Sequence, residues 1–455
     1  MLAWAKTLFE APSFNAEKSF VVLTARVSPA LLDRWVARAS VMNHGFLWAP
    51  GDLARSRDAW TLAGHGATLE LTAKGSTRWD HVREEARRAF DRVDQVAHAG
   101  TIAPPLRFFG GASFHPSSKL EPDAVWAGFG EASFVLPRWL YGVHDGDAFL
   151  QFAFRREELA SRGHLLAEIA LAENAEPPDV ESAASVHAFP PDTSYAVWQT
   201  LVDRALEAIH RGAFQKVVVA RRSVVAQSIS VPASLERLRA QNAESTVFSF
   251  TRGGLTFLGA SPERLIFLEG NRLATEALAG TIARSEDDEP AKHALLASNK
   301  DRREHQIVVD GISAALTPFS SDLDVPSSPK VRTLARVHHL ATPIVGHVDR
   351  ATHVLSLVGA LHPTPAVSGL PKLAASEWIA EHEAFERGWY ASPAGWFDEK
   401  GDGTFAVAIR SALVKSDGAL IFAGVGIVDG SEPDAEYRET QLKQKTILSA
   451  LGSGA

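Results

Sequence analysis

The sequence predicts an α+β fold in which long antiparallel sheets carry helices on their faces. Three observations point there. Several runs alternate apolar and polar residues with the two-residue period of half-buried strands. A Gly253-Gly254 pair between two such runs is a hairpin signal. A few stretches repeat apolar residues at helical spacing instead. The 455 residues could hold two or three average domains or one large one, and the number of long strands favours one large sandwich.

The elements follow in order. Residues 20–27 and 67–72 alternate as strands. Residues 80–96 are charged with apolar spacing that suits a surface helix. Residues 108–114 read as a strand whose Gly110-Gly111 marks a bulge or a close backbone approach. Pro and Ala concentrate in 174–191, the best linker candidate, which divides an N-terminal part (1–190) from a C-terminal part (191–455). Beyond it Trp198, Leu201, Val202, Ala205, Leu206 and Ile209 lie on one helical face, and Gly212 sits where a C-cap belongs. Residues 216–220 form an apolar strand, 246–252 and 255–259 flank the hairpin glycines, and 291–316 is one long helical pattern. Residues 405–410 and 419–428 look like paired strands around the turn at 415–418. An Asp429-Gly-Ser turn then leads into a polar helix.

Composition excludes several classes. Apolar residues make up 45% and charged residues 22% of the chain, enough for a large core. A net charge of -8 gives no nucleic-acid footprint. With no cysteine there can be no disulfide, thiolate metal site or cysteine nucleophile, and the composition fits a reducing cytoplasm. The first ten residues include Lys6 and Glu10 and lack a signal-peptide core. No uncharged apolar stretch is long enough to span a membrane.

The chemistry-bearing residues begin at the C-terminus. Glu436 and Glu439 fall on one helix face, with Lys443 one turn on. Two adjacent carboxylates repel unless a cation neutralises them, and hard oxygen ligands suit Mg2+; the alternative is an ordinary solvated helix end. Lys216 opens a buried strand, where desolvation favours a neutral amine that could act as a base; alternatively it reaches water from the sheet edge. Glu263 follows Ser261-Pro262 and enters an apolar strand, where burial would keep a proton for donation; a Glu263–Arg264 surface turn is the competing reading. Glu304 stands at the edge of a helical apolar stripe. Arg410 ends a strand, placed either to grip a carboxylate in two-pronged fashion or to make a common salt bridge. The 275–281 and 362–369 segments are turn-forming loops able to present N–H groups to an anion. Phosphate-loop, dinucleotide, HExxH and GxSxG patterns are all missing, and the His338-His339 pair is of the kind chance supplies among 17 histidines.

Eight motifs occur in an order that resembles the chorismate-utilising enzymes: Phe214-Gln-Lys-Val-Val-Val-Ala-Arg, Gly259-Ala-Ser-Pro-Glu-Arg, Thr275-Glu-Ala-Leu-Ala-Gly-Thr, Asp301-Arg-Arg-Glu-His, His362-Pro-Thr-Pro-Ala-Val-Ser-Gly, Arg387-Gly-Trp-Tyr-Ala, Phe422-Ala-Gly-Val-Gly-Ile-Val and Glu436-Tyr-Arg-Glu-Thr. The match is strong over about 195–450 and weak over 1–190. The resemblance implies a single large domain of two extended antiparallel sheets around a buried cleft, with chorismate as substrate and Mg2+ as cofactor. It implies Glu304, Glu436 and Glu439 as metal-binding acids. Arg410, Tyr390 and the Gly424 backbone would grip the enolpyruvyl carboxylate, with Lys443 and the Gly280-Thr281 loop as further substrate contacts.

Within that family, Lys216 where aminating members usually carry Gln fits a base that activates water, and Glu263 fits the acid that protonates the departing C4 hydroxyl. The product would be isochorismate. Ala366 stands where enzymes that go on to eliminate pyruvate usually carry a hydroxyl residue, which favours stopping at isochorismate over salicylate. A catalytically inactive binding relative is a further alternative, against which all the key residues are present. The weak N-terminal match tilts towards a menaquinone-type rather than a siderophore-type enzyme. No glutaminase subunit is expected, and the predicted state is a cytoplasmic monomer.

Overall fold

The computed structural model describes residues 14–51, 59–101, 103–116, 124–173 and 189–453, together with Ala5, Thr7 and Phe9. The linker expected at 174–191 lies outside the described residues up to position 188.

One hydrogen-bonded ladder of nineteen strands runs through the described residues. It forks at the long strand Ala132–His144. The first residues of that strand pair with Arg107–Ala112. From there one arm passes through Pro393–Asp398, Gly403–Val407, Arg264–Glu269 and Arg272–Ala283 to Val337–His347. On its opposite edge Ala132–His144 pairs with Thr61–Thr72. The second arm continues through Phe46–Ala49, Thr246–Arg252, Leu255–Ser261, Ser411–Lys415 and Gly418–Ile427 to Lys216–Val225. The last residues of Ala132–His144 pair with Asp147–Arg155, which pairs in turn with Phe20–Arg26. Pairing is antiparallel except where Phe20–Arg26 meets Val93–Ala97. The expected extended antiparallel sheets are therefore arms of one ladder, and N-terminal strands sit hydrogen-bonded between C-terminal ones.

Both faces of the ladder are covered. Strand Phe46–Ala49 sends Phe46 and Trp48 into one apolar cluster and Leu47 and Ala49 into the other, the two-residue period of a pleated strand. Among the described residues no helix is long and apolar enough to cross a membrane.

Several local expectations are corrected. The helix placed over 80–96 is Arg78–Phe90, and Val93–Ala97 is a strand. The 291–316 pattern is two helices, Asp288–Ala297 and Asn299–Leu316. They break at Ser298, whose extended backbone lets its hydroxyl accept from the Asp301 N–H at 3.2 Å. The hairpin partner of Gly418–Ile427 is Ser411–Lys415, whereas Gly403–Val407 belongs to the other arm. At Gly110 the reason for glycine is close approach: a Cβ there would stand 1.9 Å from the Ser133 carbonyl oxygen. Gly253 and Gly254 both have positive φ, as a tight hairpin turn requires.

Candidate active site

Residues from both arms and two helices meet at one cleft. Lys216 begins the strand Lys216–Val225 and is fully buried. Its ammonium lies 2.9 Å from Glu304 Oε1, on helix Asn299–Leu316. The sheet-edge alternative for Lys216 is thus excluded, and it faces a carboxylate rather than an apolar wall. Burial pushes the Glu304 carboxyl up, but the Lys216 charge and hydrogen bond, with Lys443 and Lys300, bring it below its ordinary value. The neighbouring strand leaves room for this pair at Gly426, where a Cβ would stand 2.5 Å from Glu304 Oε1 and 2.8 Å from Lys216 Cε. Gly424 does the same for Tyr390, whose hydroxyl would be 3.0 Å from a Cβ there. The two glycines inside an apolar strand are cleft floor.

Glu263 sits in the two-residue link between Leu255–Ser261 and Arg264–Glu269. Its N–H donates to Ser261 Oγ at 3.2 Å, and its carbonyl accepts from Val407 N at 3.1 Å. Glu263 is only 4% exposed, so the surface-turn reading fails. Burial, reinforced by Glu276 and opposed by Lys216 and Lys443, pushes its carboxyl up to about 8. At neutral pH Glu263 therefore carries a proton, as a general acid must.

Arg410 does not end a strand. It lies in the corner between Gly403–Val407 and Ser411–Lys415 with φ +52°. Its guanidinium donates to the Lys443 carbonyl at 3.3 Å and lies 3.3 Å from His339 Nε2. Burial lowers it to about 10, against the pull of Glu439, so it stays cationic at neutral pH. His339 was not singled out by sequence, yet it is buried at the cleft wall. Its Nδ1 lies 2.9 Å from the Gly280 carbonyl and 3.1 Å from Thr281 Oγ1, and burial, with Arg410, depresses it to about 3. Gly280, with φ +73°, is the extra residue of a bulge in Arg272–Ala283, where the register slips between Ala279 and Thr281.

Tyr390 is buried and its ring stacks on Phe422 at 5.0 Å. Arg387, another residue given no role from sequence, lines one wall of the cleft and braces it. It pairs with buried Glu383 and donates to the Val218 and Val367 carbonyls at 2.8 Å each.

On helix Pro433–Leu451, Lys443 Nζ lies 2.7 Å from Glu439 Oε1 and donates to the Gly424 carbonyl at 2.9 Å. Glu436 is buried, does not line the cleft, and accepts from Lys300 at 3.2 Å. Each proposed metal ligand thus faces a lysine, and among the described residues no three metal-binding side chains form a ready-made cluster. The donor set nevertheless suits a hard cation. Each of the three acids already holds a cation, a lysine ammonium 2.7 to 3.2 Å away.

All the predicted site residues except Glu436 line this cleft, which encloses about 770 Å3 of space including its mouth, the size of a small-molecule site. With Glu263 protonated, the cations on the lining, Lys216, Arg387, Arg410 and Lys443, outnumber the anions Glu304 and Glu439, so the lining favours an anionic ligand. The family model described as chorismate binding enzyme matches residues 15–452. The chain belongs to the chorismate-binding enzymes. Among relatives of this family, the salicylate biosynthesis isochorismate synthase of Pseudomonas aeruginosa is 38% identical over 85% of this chain and 82% of its own length. The isochorismate synthase MenF of Bacillus subtilis is 35% identical over 86% and 85%. The solved menaquinone-specific isochorismate synthase MenF of Escherichia coli superposes with a TM-score of 0.78 at 27% identity, covering 99% of this chain and 98% of that one.

Proposed function

We propose that this chorismate-binding enzyme is an isochorismate synthase, converting chorismate to isochorismate. The observation that carries the reading is the pairing of two groups in one cleft: a fully buried lysine, Lys216, and an acid, Glu263, held protonated at neutral pH. In its neutral-amine form, with the proton shed from the resting ammonium, Lys216 takes a proton from a water, whose oxygen bonds to ring carbon C2. The ring double bonds shift and the C4–oxygen bond breaks. Glu263 gives its proton to the departing hydroxyl, which leaves as water, so one water enters and one departs. Arg410 and Lys443 hold the substrate's carboxylates, and buried Tyr390 and Gly424 close the floor. Glu304 and Glu439, with Glu436 beside them, would hold Mg2+, which supplies charge neutralisation at a carboxylate. Ala366, a methyl at the cleft wall, offers no hydroxyl to assist pyruvate elimination. The relatives named above are isochorismate synthases with names from salicylate biosynthesis and from menaquinone, so the onward route of the product is open between these. The same reading has a cytoplasmic, single-chain monomer.

The test is a product assay with purified protein, chorismate and MgCl2. Isochorismate as the main product, abolished by EDTA, is the expected result. Salicylate and pyruvate as main products would reject the role given to Ala366.

A further inference from the structure

Lys300 is not part of the proposed chemistry, yet it is paired with Glu436, one of the acids assigned to the metal. It lies in the first turn of helix Asn299–Leu316, the same helix that carries Glu304. Its side chain is half exposed, whereas its partner Glu436 is 4% exposed. Of the three lysines that face the acid set, Lys216 is fully buried and Lys443 is bonded to the Gly424 carbonyl and lines the cleft. Lys300 alone among these three approaches from solvent and does not line the cleft. Its ammonium lies 3.2 Å from Glu436 Oε1, on the helix Pro433–Leu451 that also carries Glu439.

We infer that Lys300 is a tethered cation that neutralises Glu436 before a divalent ion binds among these acids and is displaced when the ion arrives, so that it sets the affinity of the metal site. The inference rests on the Mg2+ assignment made above. A buried carboxylate left without a countercharge is strongly disfavoured, and Lys300 supplies that countercharge to Glu436. An ion entering among the same acids meets the ammonium as a like charge and a competitor. The long flexible stem lets the ammonium swing into water, where it is well hydrated. Metal uptake is then an exchange of one cation for another, which weakens it. Ligand carboxylates that join the ion would strengthen it again, since Mg2+ keeps open positions for substrate oxygens. Lys300 is a positioning residue in this scheme and touches no reacting atom.

The test is calorimetric titration of MgCl2 into EDTA-stripped wild type, Lys300→Met and Lys300→Arg, without chorismate. Mg2+-induced rises in melting temperature serve as a second readout. Lys300→Met should bind Mg2+ roughly tenfold more tightly, the scale set by removing one like charge near a partly solvated site. Lys300→Arg, which keeps the charge, should stay near wild type. Wild-type affinity in Lys300→Met, or weaker binding, overturns the inference while leaving the metal assignment intact. No binding of Mg2+ by any of the three proteins overturns both.

Discussion

Glu263 ties the proposed mechanism to a measurable pH dependence. Its carboxyl is pushed from 4.5 to about 8, chiefly by burial. At pH 7 roughly nine-tenths of the free enzyme would hold the proton, and at pH 9 roughly one-tenth. The wild-type kcat/KM should therefore fall about tenfold between those pH values. Glu263→Gln should lower kcat/KM by about 10²- to 10⁴-fold, the range for losing a positioned acid, and should abolish that alkaline limb. Stability gives an independent check. Because the folded pKa is raised, the stabilising contribution is complete below the unfolded value of 4.5 and disappears as pH rises through about 8. Between pH 6 and pH 9 wild type should lose about 2–3 kcal/mol relative to Glu263→Gln. Urea denaturation of both proteins at the two pH values measures this difference. Parallel pH dependences of stability, together with a wild-type rate that stays flat to pH 9, would refute the protonated, buried acid.

Glu276 raises the Glu263 carboxyl, so Glu276→Gln should move the alkaline limb of kcat/KM towards lower pH; a limb that stays in place or moves upward rejects the coupling. Gly426→Ala puts a Cβ 2.5 Å from Glu304 Oε1 and 2.8 Å from Lys216 Cε, so steady-state kcat should fall on the order of 10²-fold through displacement of the pair, and an unchanged kcat would show that the pair's position is irrelevant. Arg387→Met leaves Glu383 buried beside the Ala220 N–H without its countercharge, and should lower the unfolding free energy by about 3–5 kcal/mol; a loss below about 1 kcal/mol in a denaturant titration contradicts the bracing role.

Side chains whose chemistry conflicts with their surroundings were legible in the sequence. A lysine at the head of an apolar strand and an acid after Ser-Pro both stand out because burying charge is unfavourable, and the structure buries Lys216 and Glu263 together at one cleft. Strand and helix types followed from periodicity, as with the hairpin at 246–261. Pairing partners did not. Gly403–Val407 looks the natural partner of Gly418–Ile427, but the corner at 408–410 sends the two into different arms. His339 was lost for the same reason. It faces Thr281 across the ladder, while His338 points the other way, to Asp288 at 3.0 Å. Only the register tells the two apart, because neighbouring strand residues face opposite sides. Glu436 shows the converse limit: helical spacing put it on one face with Glu439, but burial turned it to Lys300 and away from the cleft wall.

The backbone around Arg410 explains how a cation from one arm reaches a cleft floored by the other. Two non-glycine residues, Ala391 and Arg410, have φ of +60° and +52°, a conformation that is unfavourable for side chains and persists only where the surroundings enforce it. Here they do. Ala391 N donates to the Ala408 carbonyl at 3.0 Å and Ala408 N to the Ser392 carbonyl at 2.8 Å, which clips the two strained segments together. The Arg410 carbonyl accepts from Ala260 N at 3.1 Å, which ties the corner to the strand leading to Glu263. The reversal aims the guanidinium at the Lys443 carbonyl and His339, and His339 reaches the bulge carbonyl of Gly280. Strain in one corner, a bulge in one strand and two glycines in another thus act on a single object, the set of donors and charges around the cleft. Because these constraints lie in backbone geometry, the arginine is held before any ligand binds, and binding need not order it.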